Sequence, residues 1–125
     1  MDWRDAALVA AGLIGVGTAV LHGLLVQRLM VKPFEAAFVE RQTPGSIRRL
    51  VPLLLHFSTI SWLLGGLVLI AAATSFGQEA RLATSLFVGS LFLFGALANL
   101  WGTRGRHPGW MLMAAAVVLI GVGAG

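Results

Sequence analysis

The sequence predicts an all-α integral membrane protein: a four-helix antiparallel bundle of four spans, with a short interfacial helix in its first cytoplasmic loop. Two observations carry this expectation. Four stretches hold no Asp, Glu, Lys or Arg, namely Ala6 to Gln27, Leu50 to Ala73, Leu82 to Thr103 and Pro108 to Gly125, of 22, 24, 22 and 18 residues. A hydrocarbon core about 30 Å thick needs roughly 20 helical residues, so each stretch has the length of a span. Composition agrees, because 58% hydrophobic and 11% charged residues depart from a soluble norm of roughly 45–50% apolar and 25% charged. With 125 residues, a single transmembrane domain, 1–125, fills the chain.

The first span, about residues 6–28, follows Asp2 and Asp5. That acidic start and the missing small-x-small cleavage pattern distinguish it from a secretion signal, so it is expected to be retained. Next, the run from Lys32 to Arg41 sets Phe34 and Phe38 four apart, as in a short helix resting on the cytoplasmic leaflet. Thr43-Pro44-Gly45-Ser46 reads as a turn, with Ser46 as the N-cap of the second span, about 48–73. Gly65-Gly66 predicts a bend within that span. Short turns at Ser75 to Gln78 and Gly102 to Gly109 then make the spans at about 82–103 and 108–124 antiparallel neighbours. Small residues recur at helical spacing: Gly12, Gly15 and Ala19; Ser85, Gly89 and Ala96; Ala114 and Gly121. Such faces allow close backbone approach, within the bundle or between copies.

Charge sets the orientation. Arg4 and Arg81 fall on one side, whereas Arg28, Lys32, Arg41, Arg48, Arg49, Arg104 and Arg106 fall on the other. The positive-inside rule makes loops 28–49 and 104–107 cytoplasmic and both termini periplasmic, in a bacterial inner membrane. A bias this strong argues for one fixed topology. The basic residues are scattered over membrane-flanking loops, which sets nucleic acid aside as a partner. Without Cys, disulfides and thiolate sites are excluded. Trp3, Trp101 and Trp110 sit where indoles anchor in headgroups, whereas Trp62 lies mid-span and its N–H needs a partner.

Chemistry in such a chain belongs to polar side chains inside the bilayer. Counted from the nearest arginines, His22, His56 and Asn99 each fall about 8–10 Å inside the cytoplasmic boundary, with Ser58 and Thr59 nearby. This polar layer is the candidate ligand, metal or proton site. His22 and His56 at one depth could ligate the iron of haem b axially, hold another transition metal, or relay protons. The same pair serves equally as hydrogen-bonded helix glue. Arg48, Arg49, Arg104, Arg106 and His107 are candidate contacts for lipid headgroups or other anions. No span contains a carboxylate, which removes both the usual coupling group of a proton-driven pump and the acid of a Ser-His-Asp set. The expected function is therefore an accessory or assembly subunit that meets the lipid bilayer and a membrane-protein partner or a second copy. Two alternatives stand beside it: an oligomeric transporter or channel for a small solute or anion, and a bis-His haem or metal protein.

Overall fold

Asp2 and Asp5 start the first helix with a reciprocal cap: the Asp5 N–H donates to Asp2 Oδ1 at 2.9 Å and the Asp2 N–H to Asp5 Oδ2 at 3.1 Å. Two otherwise orphaned donors are satisfied in this way. The computed structural model describes residues 1–125 and contains six α-helices and no strand. They are α1 (Trp3–Val26), α2 (Lys32–Glu40), α3 (Gly45–Leu55), α4 (Phe57–Ser75), α5 (Gln78–Gly102) and α6 (Gly109–Ala124). Three continuous helical runs are long and apolar enough to cross a membrane: Trp3–Glu40, Gly45–Ser75 and Gln78–Gly102. The fourth apolar helix, α6, has 16 residues, about 24 Å at 1.5 Å per residue.

The first run joins α1 to α2 through one widened π turn, Gln27–Val31, in which the Lys32 N–H reaches the Gln27 carbonyl. Pro33 explains the widening. Its ring collides with the carbonyl four residues back in a regular helix, and its nitrogen donates nothing. Residues 32–40 are thus helical, as expected, but they extend α1 without a break in the helical backbone. Pro52 acts similarly on the second run, removing the N–H that would meet the Arg48 carbonyl. The regular pattern lapses at His56, between α3 and α4.

Three local expectations are corrected. The first turn lies at 41–44, two residues early, and ends α2 with Gln42 at φ 52° while the Thr43 N–H donates to Phe38 O at 3.0 Å. Glutamine occupies the left-handed position that usually takes glycine. Ser46 is not a cap; Pro44, with ψ 141°, precedes α3, and no side chain caps it. Gly65 and Gly66 do not interrupt α4, because both serve packing.

The long helices form a ring in which α1 contacts α4 and α6, and α5 closes the circuit against both. Gly12 and Gly66 bring α1 and α4 together: a Cβ on either would lie 2.6 Å from the other's carbonyl oxygen. Phe92 from α5 fills the notch left by Gly15 and Gly65, and Trp62 lies over Gly95. With Leu8, Leu69 and Met113, Phe92 is wholly enclosed. On α6 the contact glycine is Gly123, whose Cβ position meets Leu8 and the Arg4 carbonyl, while Gly121 faces open space. Helices α2 and α3 contain no buried residue.

Outside the ring the surface is apolar. Only 23 of 125 residues are buried, and Leu53, Leu54, Phe57, Phe87, Phe94 and Val118 are about two-thirds to three-quarters exposed. A soluble monomer rarely carries an apolar surface this extensive, which is compatible with a membrane protein. At the end where α1 begins, Arg81 of α5 pairs with Asp5 and donates to the Gly123 carbonyl through Nε at 3.2 Å and Nη2 at 2.9 Å. One guanidinium thereby ties α1, α5 and α6.

Candidate functional site

At the opposite end of the ring, the register set by Gly12 and Gly66 decides which polar residues meet. His22 Nε2 lies 2.9 Å from Ser58 Oγ on α4, and its ring sits against Trp62 with centroids 4.5 Å apart. His56 Nε2 lies 2.9 Å from Gln27 Oε1. His56 therefore faces α1 at Gln27, five residues beyond His22 and about 7.5 Å along the helix. The expectation of equal depth is corrected on this point. Depth was counted from Arg28 and Arg49 as though both marked one boundary, but α1 continues as helix to Glu40 and α3 already begins at Gly45.

His22 instead shares a cavity with Asn99 and His107. This space of about 400 Å3 opens between α1 and the start of α6, with Thr18, Trp62 and Arg28 also on its wall. His56, Ser58 and Thr59 are not part of its lining. Asn99 donates from Nδ2 to the Gly95 carbonyl at 2.8 Å, one turn back, leaving its Oδ1 as an acceptor. The Gly109 N–H donates to His107 Nδ1 at 3.1 Å, which puts the proton of a neutral His107 on Nε2. Thr59 is beside Gly23 of α1, with its hydroxyl enclosed and without a partner; Thr18 and Ser85 share that condition.

The five proposed anion contacts separate into three places. Arg48 and Arg49 join Lys32 and Glu35 along an open cleft between α2 and α3, Arg104 and Arg106 lie in the turn after α5, and His107 reaches the cavity. For a bis-His centre the donors do not fit as they stand. Each Nε2 is engaged by a different side chain, and no set of three or more His, Asp or Glu residues is arranged to hold a metal ion. Ser58 and His22 do form a hydroxyl–imidazole pair, yet no carboxylate hydrogen-bonds the imidazole to orient it as a base.

Sequence reasoning passed over Thr18, Gln27 and Arg28 as members of the polar end. Gln27 and Arg28 stand at the edge of the expected span, and Thr18 has no role in that reading. Gln27 opens the π turn prompted by Pro33, the signal that could have marked continuing helix. The chain matches no protein-family model, no curated protein and no solved structure.

Proposed function

We propose that this chain is a four-span integral membrane protein of a bacterial inner membrane, with both termini periplasmic, acting without catalysis as an accessory or assembly subunit. The observation that carries the reading is the outward face of α5. Phe87, Ser90, Phe94, Leu97 and Trp101 follow one another at spacings of 3, 4, 3 and 4, and all are exposed. This is the a/d rhythm of a helix–helix seam; the outward α4 face repeats the spacing at Phe57, Ile60, Leu64 and Leu67, and the α5 face differs from it in carrying two phenylalanines and a tryptophan. Ser90 spends its hydroxyl on the Leu86 carbonyl at 2.7 Å, so it presents no free hydroxyl on the seam. In the four-span reading α6, 16 residues and about 24 Å long, falls a few Å short of even a thin bilayer and needs local thinning around it. In the same arrangement, α2 and α3 carry their cations at the cytoplasmic surface, with Phe34 stacked on Phe38 at 5.9 Å toward the interface.

Photocrosslinking from the membrane tests this. With a photoreactive phenylalanine at Phe87 or Phe94, discrete protein adducts are expected. The outward α4 positions Leu64 and Leu67, 59% and 50% exposed, should give none. Equal labelling from both helices, or no adduct from α5, would sink the subunit reading. The transporter alternative draws no support from a single chain, because Phe92, Leu8, Leu69 and Met113 fill the ring's centre.

A further inference from the structure

The cavity beside His22 has walls of two kinds. One is cationic or hydrogen-bonding: Arg28 and His107 toward the end of the ring, Asn99 and Thr18 deeper in. The other is aliphatic, with Leu21, Leu24 and Leu25 both lining the cavity and exposed on the outer face of α1 at 56%, 55% and 38%. No Asp or Glu borders it. A chain leaving the cavity past these leucines would emerge directly among lipid tails. From Arg28 to Thr18 is ten residues, about 15 Å along the helix, enough to take a headgroup at one end and the start of an acyl chain at the other. Its volume, about 400 Å3, lies within the range of small-molecule sites, roughly 300–1,000 Å3.

Thr18 is 6% exposed, and its hydroxyl finds no partner within the chain. A helical threonine can usually return its hydroxyl to a carbonyl of the preceding turn, as Thr74 does to Ile70 at 3.1 Å. That hydroxyl is sealed inside the chain, as are those of Thr59 and Ser85 away from the cavity, so Thr18 bounds the cavity's deep end without offering its oxygen to an occupant.

We propose that this cavity binds an anionic amphiphile: an acidic headgroup held by Arg28 and the Nε2–H of His107, an oxygen atom near the glycerol or carboxyl end meeting Asn99, and an acyl chain passing out over Leu21 and Leu24. The site stands apart from the α5 seam and does not depend on a protein partner.

Trp62 reports on it, since it lines the cavity and is otherwise buried, 5% exposed in all. The test uses the full chain with Trp3, Trp101 and Trp110 each replaced by Phe, reconstituted in phosphatidylcholine vesicles. Phosphatidylglycerol with brominated chains is then titrated in, and bromine quenches indole fluorescence on contact. Saturating quenching at a low fraction of phosphatidylglycerol is expected, with brominated phosphatidylcholine much weaker at the same fraction. Arg28→Gln, at an exposed position, should raise the half-quenching fraction by about tenfold, the loss of one charge-assisted bond. Thr18→Val keeps the shape and deletes a sealed orphan hydroxyl, so it should leave the quenching curve unchanged and the empty protein no less stable. Brominated stearate quenching where the phospholipid does not would assign the same site to a free fatty acid. Equal quenching by anionic and zwitterionic lipid, or an unchanged curve in Arg28→Gln, would overturn the proposal.

Discussion

Asp5 shows how one side chain can join distant parts of this chain. Its carboxylate accepts from Arg81, caps the Asp2 backbone N–H, and so links the helix start to a residue 76 positions away. The Arg81 hydrogen bond, then that backbone contact, holds the Asp5 pKa below the ordinary value of 3.8. A carboxyl with a depressed folded pKa contributes stability that is complete above its unfolded value and is lost as pH falls through the lower folded one. Thermal unfolding in detergent should therefore be insensitive to this group from neutral pH down to about 4, then fall at lower pH. In Asp5→Asn the low-pH fall should be smaller, from a lower starting Tm at neutral pH. Matching acid profiles for the two proteins would show that the Arg81 pairing adds nothing to the fold. The pair was not legible in the sequence: Asp5 reads as a helix-start acid and Arg81 as one of two cations in the minority, and only the ring of helices brings them together.

At the scale of helices, the α1–α4 contact is the most constrained. A methyl on Gly66 would lie 2.6 Å from the Gly12 carbonyl and 2.9 Å from the Val16 backbone nitrogen. Neither is a flexible side-chain end that can swing away, so the helices must part. Gly66→Ala should cost about 1–3 kcal/mol, the usual range for overpacking. Gly17→Ala is the control, because nothing lies within 4 Å of its Cβ position, and alanine is up to about 1 kcal/mol better than glycine in a helix interior. Melting of both variants in detergent checks the pair; a Gly66→Ala protein as stable as Gly17→Ala would refute the close approach. The small residues of α1 were readable at this scale, since Gly12, Gly15 and Ala19 share a face at helical spacing. The role of Gly65-Gly66 was not, because adjacent glycines fit a bend as well as two contacts on neighbouring faces. Here Gly66 meets α1 and Gly65 meets Phe92, so the two glycines serve different neighbours.

For the molecule as a whole, the charge-free stretches located the helices, because burial in lipid penalises every charge and leaves a long record in sequence. Helix ends were harder to read. A proline such as Pro33 or Pro52 looks like a stop, yet a π turn or a local lapse lets the helix continue, and the arginines then cease to mark a common depth. Orientation depends on the same arginines, and the lack of native cysteine makes it directly measurable. Single cysteines at Gln42, Gly77 and Gly105 sit in the three turns, all exposed. Two of these, Gln42 and Gly105, have positive φ, so Thr43→Cys and Thr103→Cys, at half-buried neighbouring positions, are the safer choices for a residue with a side chain. A membrane-impermeant maleimide added to intact spheroplasts should label Gly77→Cys alone. Thr43→Cys and Thr103→Cys should react only after the membrane is opened. The seven cations named on their side would hold that arrangement at a single orientation, since each resists translocation. Labelling of all three positions in intact spheroplasts would mean that both orientations coexist. The α5 seam would then meet its partners from either direction, and the cavity end would no longer belong to one leaflet.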